Sequence, residues 1–421
     1  MRSPSLWVGI FSILASLSLT PLFSSTARPM AAEKILYSFT GSNDGVAPLA
    51  DLTFDAEGNL YGTTQYGGGF CPTYGGCGTA FELKRSGNSW TEQILHSFNG
   101  DDDAFPYSDV IFDRAGNLYG TTSGDHDRGK CGHVYELSPD HGNWKETVLK
   151  TFTCAQGEGF SQSGLAFDAK GNLFGITSTA AFVLHLRPDG KWKEETIHEF
   201  SNPPEGLVPS AFFLSPNGDV YGTTAAGGNG QCFYSQTISG CGVAFRLNRE
   251  DNGTWRETVL YNFARGGGFG NLPAAGWFLE NPNHAIGTTL LGGNGVGAVF
   301  ELSFTDNSWK QNVLHRFYEE DDGEFPSGKL LRTPTGIFGV TPRGGVNGMG
   351  IVYELGHTSV ADWKERVIYA FSGGAEDGQT PYGGLVIDSQ GNLYGTTWSG
   401  GPGNCYNGCG TVYEITPAET P

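Results

Sequence analysis

The string Gly-Asn-Leu-Tyr-Gly-Thr-Thr stands at residues 58–64, again at 116–122 and again at 391–397. Looser copies occupy 171–177 (GNLFGIT), 218–224 (GDVYGTT), 283–289 (NHAIGTT) and 335–341 (TGIFGVT), making seven copies about 55 residues apart. A segment such as LTFD (52–55) precedes each copy. A segment such as VYEL (352–355) follows it, and then one such as WKETVLKTF (144–152). All four segments are short, rich in aromatic or β-branched residues and bounded by turn residues, which is strand chemistry. Named a, b, c and d in that order, four strands repeated seven times predict a propeller.

The chain begins on strand d (EKILYSF, 33–39) and stops on strand c (GTVYEI, 410–415). The fold class is therefore all-β: a seven-bladed β-propeller with four antiparallel strands per blade. The N-terminal strand joins the C-terminal blade and closes the ring. The a–b turns (DAEGN, 55–59) and most c–d turns (PDG, 188–190) have hairpin chemistry. The d–a connection is never that short, so it crosses between blades, and strand a lines the axis. Small residues at its start (Ala50, Ser108, Gly164, Ala274, Ser327, Gly383) suit a crowded axis.

The composition agrees. The 421 residues include 65 glycines, about 15% against a usual ~7%, with 28 Phe, 17 Tyr and 9 Trp. That is too apolar for a disordered chain and too glycine-rich for a helical bundle. Residues 1–32 read as a signal peptide, with Arg2 ahead of the apolar stretch from Leu6 to Leu19, and 33–421 as the propeller, a single domain. Without 1–32 the chain carries 23 Lys and Arg against 44 Asp and Glu, a net −21. Such a field repels nucleic acid and anionic membranes. The expectation is a secreted, extracellular or periplasmic protein, without a membrane span in the mature chain and monomeric.

Eight cysteines in an exported chain read as disulfides. Cys71/Cys77, Cys232/Cys241 and Cys405/Cys409 are the within-loop pairs, leaving Cys131 with Cys154. Crossed pairing of Cys405/Cys409 with Cys71/Cys77, on neighbouring blades, is the rival.

The double glycine after strand b, the aromatic of strand c and the Trp opening strand d resemble the kelch plan. The repeat is more similar to the GloVer tandem-repeat family (Gloeo_Verruco repeat), through GNLYGTT at 58–64, GIVYEL at 350–355, GTVYEI at 410–415 and WKETVL at 144–149. The resemblance implies a propeller and bacterial export. It implies no reaction. Anchored members carry a C-terminal sorting tail, and no hydrophobic tail ends this sequence.

Strand directions put the d–a and b–c loops on one face, called the top. Its loops are acidic and interleaved with aromatics. The candidate ligand-binding residues are Asp101, Asp102, Asp103, Phe105, Asp321, Asp322, Glu324, Phe325, Asp377, Tyr382 and Trp398. Carboxylates accept sugar hydroxyls and flat rings stack on pyranose faces, so the expected partner is an extracellular glycan or a surface protein. A glycosidase or lyase sharing paired carboxylates is the alternative, and a structural surface repeat protein is a third reading. Asp-rich strings also offer oxygen ligands to Ca²⁺. No other cofactor is expected, and no catalytic residue is assigned. No Gly-x-Ser-x-Gly string occurs, so a nucleophile-elbow hydrolase lacks support.

Overall fold

The computed structural model describes residues 31–417, except 42, 70, 72–74, 101–103, 126–128, 155–156, 162, 202–203, 233–238, 265–269, 275, 293–295, 319–320 and 360–361. The signal peptide call, 1–32, lies outside them save for its last two residues. The described residues form antiparallel strands and no helix, and none of them makes a helix able to cross a membrane.

Seven sheets follow one order, a-b-c-d. In the first blade they are Thr53–Phe54, Leu60–Thr64, Thr79–Ser86 and Ser89–Ser97. In the fifth, strand a is split into Gly270–Pro273 and Phe278–Asn281, both paired to His284–Gly292. In the seventh, Val386–Ile387, Leu393–Thr397 and Thr411–Thr416 are completed by Ala32–Ser38. That strand runs antiparallel to the last one, from Ala32↔Thr416 to Ser38↔Thr411. The two ends of the chain thus form one sheet, as the repeat arithmetic predicts.

Local chemistry explains the repeated letters. In the a–b turn Asp55 Oδ1 accepts the Glu57 and Asn59 amides, and Oδ2 accepts Asn59 Nδ2. Asp113, Asp168 and Asp388 repeat the arrangement. The glycine of strand b faces the aromatic of strand c. A Cβ on Gly62 would lie 2.7 Å from Phe81 Cζ and 2.9 Å from Leu52 Cδ2. The first threonine after it binds the next blade: Thr63, Thr121 and Thr396 donate to the carbonyls of Ser108, Ser163 and Ala50.

Blades also meet through rings. The Phe closing each strand d packs against the strand-c aromatic of the following blade. The pairs are Phe39–Phe81, Phe98–Tyr135, Phe152–Phe182, Phe200–Phe245, Phe263–Phe300, Phe317–Tyr353 and Phe371–Tyr413. Their centroids are 4.9–5.3 Å apart. Such pairs contribute about 0.5–1.5 kcal/mol each beyond the area they bury. Four disulfides join Cys71–Cys77, Cys131–Cys154, Cys232–Cys241 and Cys405–Cys409. No described cysteine is free.

Candidate functional site

The top-face acids divide by what they hold. Asp101, Asp102 and Asp103 lie outside the described residues. Asp377 is 5% exposed, and its Oδ2 accepts the Ser372 amide, the Ser372 hydroxyl and the Tyr369 hydroxyl. Asp322 does the same for the Tyr318 amide and the His315 ring. Asp44 accepts the Thr40 amide and Tyr37, and Glu158 the Thr153 amide and Lys150. Each acid fastens the d–a loop to the end of the strand it leaves. Phe105 and Phe325 have positive φ, 65° and 60°. Phe105 is buried and edge-on to Tyr66, and Phe325 lies under the Arg343 guanidinium. Glu324 pairs in register with Arg343. Asp321 and Trp398 are exposed, and Trp398 donates its amide to Thr380.

The following blade adds a second carboxylate to most of these fastenings, two residues after its Trp. Glu92 stands beside Asp44, Glu257 beside Glu205 and Glu365 beside Asp322. Glu33 stands beside Asp377, where Ala31 replaces the Trp. Burial first, and the neighbouring acid second, push Glu33, Glu92, Glu257 and Glu365 up to about 7. In the fifth blade this position is Gln311.

Among the described residues of the candidate set, Tyr382 alone lines the axial cavity. The cavity has a volume of about 550 Å³ and is lined from all seven blades by residues in strand a or leading into it. One position recurs around it, two residues before the strand-a residue that pairs with the aromatic or Ile of strand b. Its occupants are Asp51, Asp109, Gly164, Ala211, Gly276, Lys329 and Gly384. Four are Gly or Ala, and three are charged.

Lys329 reaches from the sixth blade to Asp109, Nζ to Oδ2 2.5 Å, and to Asp51 Oδ2, 3.7 Å. The Gly384 amide donates to Asp51 Oδ1. A Cβ on Gly384 would lie 2.6 Å from the Lys329 backbone, so the glycine lets these strands approach. Burial raises the Asp51 carboxyl above the usual aspartate range, helped by Asp109 and opposed by Lys329. Burial works against the Lys329 ammonium, but Asp109 and Asp51 hold it above the ordinary lysine range. The Lys329 side chain is 57% exposed and lines the cavity. Tyr107, Phe212, Trp277 and Phe278 add flat or apolar wall, and Ser108, Ser163, Ser210 and Ser327 add hydroxyls.

The fold has solved counterparts. A streptogramin B lyase structure is 12% identical with TM-score 0.55, covering 92% of this chain and 98% of that one. A catalytically inactive virginiamycin B lyase from Staphylococcus aureus, with quinupristin, is 14% identical with TM-score 0.52, covering 92% and 100%. The extracellular domain of a protein described as a one-component system from B. thetaiotaomicron is 10% identical with TM-score 0.57, covering 91% of this chain and 40% of that one. These likenesses show a shared fold. No curated protein matches the sequence. The Gloeobacter/Verrucomicrobia repeat signature matches residues 22–182 and 231–420. The unmatched stretch spans the third blade's last strand and the fourth blade's first two. With its seven repeats closed into one ring, the chain belongs to the Gloeobacter/Verrucomicrobia repeat family.

Proposed function

We propose that the protein is an exported binding protein that takes the end of an extracellular glycan into its axial cavity. One observation carries this reading. Of seven equivalent positions around the axis, four are reduced to Gly or Ala, and the other three bring Asp51, Asp109 and Lys329 together. Two carboxylates accept paired hydroxyls, an ammonium donates to a sugar oxygen, and Tyr107, Tyr382 and Trp277 offer rings nearby. The volume falls in the roughly 300–1,000 Å³ range of small-molecule sites. Four disulfides fit an oxidising compartment outside the cytoplasm.

A glycan array followed by titration calorimetry tests the proposal. Binding is expected to weaken sharply in Asp109→Asn and Lys329→Met while the fold is retained. No binding across neutral, acidic and basic polysaccharides, or binding that ignores both substitutions, removes the reading. A carbohydrate-active enzyme is the second reading, favoured by Asp51. A carboxyl held above its usual range beside a second carboxylate suits a proton donor. Turnover abolished by Asp51→Asn with binding intact would establish it.

A further inference from the structure

The crevices between successive blades are variations on one arrangement, and they differ in the side chain that faces the carboxylates. Between the second and third blades, Lys150 sits between two carboxylates, 2.7 Å from Glu158 and 2.6 Å from Glu194. One ammonium serves both. Between the third and fourth blades the lysine's place is taken by His198, on strand Trp192–Glu199. Glu205 of the following loop and Glu257 of strand Trp255–Asn262 supply the carboxylates. Burial lowers the His198 imidazole, against the pull of Glu205 and Glu199.

The donors converge without satisfying one another. One donor atom from each of the three residues lies within 4.8 Å of the others. His198 Nε2 and Glu257 Oε2 are 3.9 Å apart, too far for a hydrogen bond. His198 Nε2 and Glu257 Oε1 are both buried without a hydrogen-bond partner, and the Glu257 side chain is only 7% exposed. Glu33, Glu92 and Glu365 also bury an unpartnered Oε1, but in their crevices the loop acid accepts a hydrogen bond from the preceding strand. His315 donates to Asp322, and Tyr369 donates to Asp377. Glu199 adds further negative field at His198.

We propose that His198, Glu205 and Glu257 form a site for a zinc-class divalent cation that clasps the third blade to the fourth. One imidazole and two carboxylates are borderline nitrogen and oxygen ligands of the kind Zn²⁺ takes, with a fourth position left for water. Donors on a tetrahedral zinc stand roughly 3.4 Å apart, so small side-chain rotations close the set. Ca²⁺ takes about 6–8 oxygens and finds neither the number nor the type here.

The test uses the mature chain without a histidine tag, stripped by chelator and titrated with Co²⁺ and then Zn²⁺. A single Co²⁺ per chain with visible absorption bands is expected, displaced by Zn²⁺, together with a raised melting temperature. Glu257→Gln and His198→Tyr are both expected to lose the cation. The tyrosine variant copies the Tyr37 and Tyr369 crevices, so it keeps a fold the protein already uses. His315→Tyr is expected to keep it. The proposal is overturned if the parent binds no Co²⁺, or if folded His198→Tyr binds it as well as the parent.

Discussion

Replacing Glu92 by glutamine should stabilise the protein at high pH and leave it nearly unchanged in acid. Glu92 faces Asp44 across the crevice between the seventh and first blades, and its carboxyl is pushed from 4.5 to about 7 by burial and by that neighbour. The native state therefore holds a proton there that the unfolded chain has already lost. Between 4.5 and about 7 the native state binds more protons, so stability falls as pH rises. The contribution is whole below 4.5 and gone once pH has passed about 7. At 1.36 kcal/mol per unit the ceiling is about 3 kcal/mol, and partial solvent access reduces it to about 1–2 kcal/mol. Glutamine keeps the shape and the neutral hydrogen-bonding head at every pH. Gln311 already occupies the equivalent place in the fifth blade. Denaturant unfolding near pH 4.5 and well above 7 should show the variant gaining only in the second condition. Gln311→Glu should show the converse. An equal shift of Glu92→Gln at both pH values would falsify the account of a carboxyl raised by burial.

Three further outcomes follow from packing and charge. Gly62→Ala drives a Cβ into Phe81 and Leu52 and should cost about 1–3 kcal/mol in denaturant melts, whereas Gly58, with nothing within 4 Å of a Cβ, reports only its positive φ. Lys329→Met leaves Asp51 and Asp109 without their cation. It should destabilise by roughly 1–2 kcal/mol, a figure reduced because the cavity admits water, and adding Asp109→Asn should restore part of the loss. Replacing both Cys131 and Cys154 by serine opens a loop with a sequence separation of 23, and should lower stability by roughly 3 kcal/mol on thermal or denaturant unfolding.

The fold was legible because its signals are periodic and local. The glycine facing Phe81 or Tyr413 and the Asp that organises the a–b turn must recur wherever a blade recurs. The candidate site was less legible, because aspartate performs turn chemistry and ligand chemistry with the same atoms. Asp322 and Asp377 are loop fasteners, and only their contacts reveal it. Asp51 and Asp109 stand directly after the small residues that mark the axis. Stacking the strand-a segments would have put them in one column. Lys329 escapes that column because the sixth blade's a–b turn is one residue shorter. Counting back from Gly339 places Lys329 beside Leu52, whereas strand pairing places it beside Asp51. The crevice carboxylates needed the ring itself, since Glu92 and Asp44 are brought together by neighbouring sheets.

The pairing of Ala32–Ser38 with Thr411–Thr416 bears on how the protein reaches its native state. Ribosomes make the first of these strands long before its partner. During synthesis the seventh sheet has no partner for its outer strand, and an unpaired edge invites pairing with other chains. Joining strands so distant in sequence also costs loop-closure entropy before any contact repays it, which places the protein among slow folders. A circular permutant opened at a c–d turn, with Thr416 linked back to Ala32, would make Ala32–Ser38 and Thr411–Thr416 neighbours in time as well as in space. Its refolding rate against the parent would measure how much the distance between these two strands along the chain slows folding.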